Sequence, residues 1–194
     1  MRPIQRTDVL DILQYEKVRP QYRDRVIKLK AARRISIGPY ITLVFENRDT
    51  VLFQIQEMMR AERTVAEERI ADEIAVYNGI LPAAGELSAT LMIEITEATR
   101  IKPVLDRFLG IDRGNTTSLQ FGGERVYAVF ESGRSTEAKI SAVHFVRFPF
   151  TPAQARRFRT GEDQATLHVS HGTYRRRAAV PPAMRASLIH DLTP

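Results

Sequence analysis

Cysteine is absent from the 194-residue chain. Its absence excludes disulfides, iron–sulfur ligation, thiolate zinc sites and cysteine nucleophiles, and it fits a reducing, cytoplasmic setting. Long apolar runs are also missing: none approaches the roughly 18 residues that a membrane-spanning helix needs. The opening residues, Met1-Arg2-Pro3-Ile4-Gln5-Arg6-Thr7-Asp8, lack the apolar stretch of a secretory leader, so none is expected. Histidine is scarce, with 4 in all, and no Glu-x-x-His occurs, which argues against the di-iron pattern of helical bundles. No nucleophile elbow, phosphate loop, dinucleotide fingerprint or Ser-His-Asp arrangement is legible. The expectation is a chain without metal or cofactor.

What is present is ordinary globular composition, 43% hydrophobic and 27% charged, in a length suited to one domain over residues 1–194. The net charge of +6 is unevenly spread. Residues 1–40 carry 10 Lys and Arg against 4 Asp and Glu; residues 41–100 carry 5 against 11; residues 101–194 carry 14 against 8. A basic–acidic–basic chain can satisfy much of its charge internally or across a homo-oligomer interface. Nucleic-acid binding is therefore less favoured than the overall charge suggests.

The apolar pattern predicts a short helix capped by Thr7, then a second helix opened by Pro20 at its first position. A strand follows over 35–46, broken at Gly38-Pro39. An acidic helical hairpin comes next, over about 49–62 and from a Thr64-to-Glu67 capping box onward; Val51, Leu52, Ile55, Met58 and Met59 are its expected buried stripe. The rest is strand-rich: 88–95, 116–121, 124–131, 139–148, 164–170 and 173–179, with short helices near 97–109 and 152–159 and a last one from Pro181-Pro182. Phe121-Gly122-Gly123-Glu124 marks a two-residue hairpin. The fold class expected is α+β, a largely antiparallel sheet of about six to seven strands with N-terminal helices, a central acidic helical hairpin and a C-terminal helix.

The densest cluster of functional-type groups is Glu46-Asn47-Arg48-Asp49-Thr50, where a strand hands over to a helix N-terminus. Arg48 there could hold a carboxylate or phosphate, oriented by Glu46, while Asn47 or Asp49 caps the helix. Glu57, Arg60, Glu62, Glu73, Tyr77 and Asn78 form a second candidate group on the acidic hairpin, with Glu57 and Arg60 at the spacing of a helix-surface pair. His144 shares a strand face with Ile140, Val146 and Phe148, as a core histidine would. His168 and His171 are three apart on a strand, which points them to opposite faces. Tyr174-Arg175-Arg176-Arg177 and Arg156-Arg157-Phe158-Arg159 could track phosphates but suit solvated faces better.

The chain also resembles an uncharacterised bacterial family, domain of unknown function three thousand five hundred and one. The resemblance rests on Tyr15-Glu16-Lys17-Val18-Arg19-Pro20, on the stretch from Phe45-Glu46-Asn47-Arg48-Asp49-Thr50 to Arg60-Ala61-Glu62, on Glu86-Leu87-Ser88-Ala89-Thr90-Leu91, and on Val146-Arg147-Phe148-Pro149. It transfers no catalytic residue. It implies a setting beside rubrerythrin-like and iron–sulfur oxidoreductase partners. The first expectation is thus a non-catalytic accessory or interaction protein of a redox or peroxide-defence module. The alternatives are an enzyme or small-anion binder built around Glu46–Asp49, and a nucleic-acid binder using the arginine clusters.

Overall fold

Apolar alternation on the strands and an apolar stripe on the helices each need a partner surface, and the chain supplies both in layers. The computed structural model describes residues 1–133 and 140–192. Among these, one sheet contains β1 (Arg34–Ile37), β2 (Ile41–Glu46), β3 (Glu86–Ile93), β7 (Val143–Pro149) and β6 (Val129–Phe130), in the order β1-β2-β3-β7-β6. The second contains β4 (Thr117–Phe121), β5 (Glu124–Tyr127), β8 (Thr166–His171) and β9 (Tyr174–Ala179), ordered β5-β4-β8-β9. Every pairing is antiparallel. The fold is α+β and antiparallel as expected, with its strands divided between two sheets.

One core joins the inner faces of both sheets. Leu43, Phe45, Ala89, Leu91, Val146 and Phe148 from the first meet Leu119, Phe121, Leu167 and Val169 from the second, with Phe108, Phe158 and Leu188 filling the ends. The stretch expected as one strand over 124–131 switches sheets: Ala128 donates its N–H to Thr117 O, after which β6 pairs with β7. On the opposite side β1 lies against β9, and Tyr174 Oη donates to Ile37 O. The turn there needs Gly38, at φ +80°, because a Cβ would stand 2.7 Å from the Tyr174 hydroxyl and 2.7 Å from Arg176 Cγ.

The outer face of the first sheet is roofed by helices, so β2 is buried along its whole length on both faces. Helix α1 (Ile12–Ala32) packs on β2 and on α2 (Arg48–Glu62), and α2 on α3 (Glu67–Asn78). Val51, Ile55, Met59, Ile70 and Ile74 form this layer's own cluster; Leu52 and Met58, expected in the buried stripe, are half-buried. Two expected boundaries are corrected. The N-terminal helices are one: Asp11 caps α1, accepting from Gln14 N, and Pro20 lies inside it. Pro20 is exposed, so the backbone acceptor it leaves unbonded faces water. Thr64 does not cap α3 but closes α2, its N–H donated to Met59 O beyond Arg63 in the left-handed region at φ 53°. The remaining helices are α4 (Ile101–Asp106), α5 (Pro152–Thr160) and α6 (Pro182–Asp191). Of the expected strand over 139–148, Lys139 lies outside the described residues. Among those described, no helix is long and apolar enough to cross a membrane.

Candidate functional site

The junction of β2 and α2 does not gather its five polar side chains at one point. Asn47 is the N-cap: its side chain accepts from Thr50 N at 3.1 Å, while Thr50 Oγ1 accepts from Asn47 N at 2.9 Å. Arg48 turns toward the N-terminal segment and pairs with Asp8 at 2.5 Å. Asp8 also accepts from Gln5 N at 2.8 Å, and that bond first, Arg48 second, holds its carboxyl below the usual range. Asp49 is exposed. The helix end is thus capped from within, and Arg48 is paired with Asp8 while its Nε is buried without a hydrogen-bond partner.

Glu46 alone turns under the roof, 1% exposed. Thr90 Oγ1 donates to its Oε1 at 2.8 Å. Its Oε2 accepts no hydrogen bond and has Lys30 Nζ at 3.8 Å. Both residues line a cleft of about 520 Å³ between α1, α2 and the outer faces of β2, β3 and β7. Ile27, Val44, Met92, Val143 and Phe145 form its apolar walls; Arg34, Gln54 and Thr90 complete its polar lining. A buried carboxylate with one unbonded oxygen is costly unless something donates to it. An amphipathic cleft with one acceptor and one neighbouring cation can bind, by that logic, a head group that donates and accepts.

The second candidate group does not join this cleft. Glu57 accepts from Tyr15 Oη at 2.7 Å and from Arg19 Nε and Nη2, both at 2.8 Å. Arg19 chiefly holds the Glu57 carboxyl below its usual range, and burial chiefly pushes the Tyr15 phenol up. Arg60 reaches Glu16 on α1 at 2.5 Å. Glu57 and Arg60, spaced as a pair along one helix, therefore cross to α1 instead, because α1 lies beside them. Glu73 and Tyr77 sit half-buried on α3, and burial first, Glu73 second, raises the tyrosine.

Gln56 and Arg33 are structural side chains that the sequence did not single out, and Asn78, a candidate on the acidic hairpin, serves as an anchor. Gln56 and Asn78 each clamp the N-terminal segment through both amide atoms, on Leu10 and Ile4 respectively. Arg33 is fully buried: it donates to Phe45 O at 2.8 Å and pairs with Asp191 of α6. A lone charge in an amphipathic segment gives no sign that it will be enclosed; the signal lies in a partner 158 residues away. His144 is buried with Nε2 2.9 Å from Ser141 O. His168 faces the outside of the second sheet while His171 stacks on Phe108, centroids 6.4 Å apart. Among the described residues no group of three or more potential ligands is placed to hold a metal.

The fold is shared. The crystal structure of a novel protein of unknown function from Burkholderia pseudomallei K96243 superimposes with a TM-score of 0.91 at 34% identity, covering 99% of this chain and 100% of that one. No curated protein matches significantly. The family model described as protein of unknown function (DUF3501) matches residues 3–192. With the match spanning nearly the whole chain and every layer of the fold, the chain belongs to that family.

Proposed function

We propose that this protein is a non-catalytic binding protein whose site is the cleft above Glu46, and that it serves as an accessory in a redox or peroxide-defence module. The setting rests on the family resemblance; the chemistry rests on one observation, the buried Glu46 Oε2 that accepts no hydrogen bond within a cleft of about 520 Å³. That volume lies in the range of small-molecule sites. Glu46 and Lys30 sum to no net charge and Arg34, which also lines the cleft, is paired with Glu94 at 2.5 Å, so a neutral ligand leaves no uncompensated charge in the cleft. The ligand class that fits is an apolar body with a compact head, a primary carboxamide or hydroxyl, donating to Glu46 and accepting from Lys30.

A thermal-shift and calorimetric comparison of benzamide, benzyl alcohol, benzoate and benzylamine tests this directly. The amide or alcohol should raise the melting temperature at millimolar concentration, and E46Q should abolish the shift while keeping the Thr90 bond. A preference for benzoate, or binding that survives E46Q, would overturn the assignment.

A further inference from the structure

The outer face of the second sheet concentrates positive charge without neutralising it. Tyr127, Ser118, His168 and Arg177 are successive cross-strand partners on β5, β4, β8 and β9, so their side chains share one face. Arg125 and Arg175, each two residues along its own strand, join that face. These six line a concavity of about 510 Å³ that contains no Asp or Glu. Among the described residues, none of Arg125, Arg175 and Arg177 has a carboxylate partner. Arg175 and Arg177, two residues apart on one face of β9, are like charges held close together, so their juxtaposition costs the free protein something. Burial first, then the charges of Arg125 and Arg177, disfavour the His168 imidazolium.

The bowl spans three strand gaps, roughly 14 Å at about 4.8 Å each. Its rims differ. Arg175 and Arg177 on β9 offer planar donors that match phosphate oxygens. On β5, Tyr127 is 38% exposed, and the Arg125 guanidinium lies 6.0 Å from its ring centroid. We infer that this concavity binds a small aromatic phosphate of the nucleotide class, its phosphates on Arg175 and Arg177 and its ring system against Tyr127. A duplex would be served by cations strung along a backbone; here they face one another across a single concavity, which favours the small ligand.

The test compares inorganic pyrophosphate, ADP and a single-stranded oligonucleotide by calorimetry at constant physiological ionic strength. ADP should bind, and Arg175→Ala with Arg177→Ala should weaken it by about tenfold or more, the equivalent of one charge-assisted hydrogen bond. The double variant should melt no lower than wild type, since repulsion is relieved. Tyr127→Leu should weaken ADP but leave pyrophosphate unchanged. In NMR, the His168 ring should become easier to protonate when ADP is bound. Absence of ADP binding, an unaffected double variant, or an oligonucleotide bound far more tightly than ADP would each overturn the inference.

Discussion

Glu46 and Arg48 stand two residues apart and meet opposite fates, because one ends a buried strand and the other begins a helix at the edge of the roof. Arg48→Ala removes a partly exposed pair with Asp8 that tethers the N-terminal segment. It should cost about 0.5–1 kcal/mol by thermal denaturation and leave ligand binding in the Glu46 cleft unchanged. Glu57 is the more consequential carboxylate, since it satisfies the hydroxyl of Tyr15, itself fully buried. Glu57→Gln should lower stability by about 1–3 kcal/mol at neutral pH. Its folded-state carboxyl titrates below its unfolded value, so this contribution is complete above the ordinary carboxylate range and is lost as pH falls through the depressed value. Melting curves of wild type and variant should therefore converge on acidification, and a gap that stays constant to low pH would exclude the mechanism. The cap at Asn47 was legible because it is local. The burial of Glu46 was not, since it depends on α1 folding back over β2.

At the scale of elements, periodicity located most strands and helices, and the departures have particular causes. Pro20 looked like a helix start, but its exposed position lets α1 run through it. Thr64 and Glu67 have the spacing of a capping box, yet the chain needs Thr64 to end α2 first. The stretch 124–131 alternates like one strand and is shared by two sheets, a division fixed only by the partners on either side of Ala128. The docking of α6 was equally invisible, because beside the apolar contacts of Met184 and Leu188 it uses the buried Arg33. That guanidinium bonds Phe45 O, Ser187 and Asp191, and burial drives the Asp191 carboxyl above its usual range while Arg33 draws it back. Removing one partner strands a buried charge. Asp191→Ala should destabilise by about 3–5 kcal/mol, whereas Arg33→Met combined with Asp191→Leu should lose less than that single change. Chemical denaturation of the two variants decides it; a double variant weaker than Asp191→Ala would show that Arg33 matters mainly through its backbone bonds.

Across the whole molecule, the basic N-terminal and acidic middle segments pair with each other: Arg6 with Glu67, Arg19 with Glu57, Arg34 with Glu94. The two apolar clusters are likewise tied through the first sheet, since Val146 and Phe148 of β7 lie in the sheet-to-sheet core while Phe145 of the same strand packs against the roof cluster. Loss of the helical roof would expose Thr42, Val44 and Glu46 and strip β2 of half its burial. Loss of the sheet-to-sheet core would remove the surface on which the roof rests. The two halves should then unfold together, as a single domain does. Met59→Ala in the roof should cost about 2–5 kcal/mol, and Phe158→Ala in the core about 3–5 kcal/mol. Both residues are essentially buried, at 1% and 0% exposure. Each variant should shift one urea transition to lower midpoint with an unchanged slope. Tyrosine emission follows the transition because tryptophan is absent, and the 6 tyrosines include Tyr15 in the roof and Tyr174 in the core. If Met59→Ala split the curve into two steps, the roof would be a separately folding layer, and the cleft above Glu46 would open without the sheets coming apart.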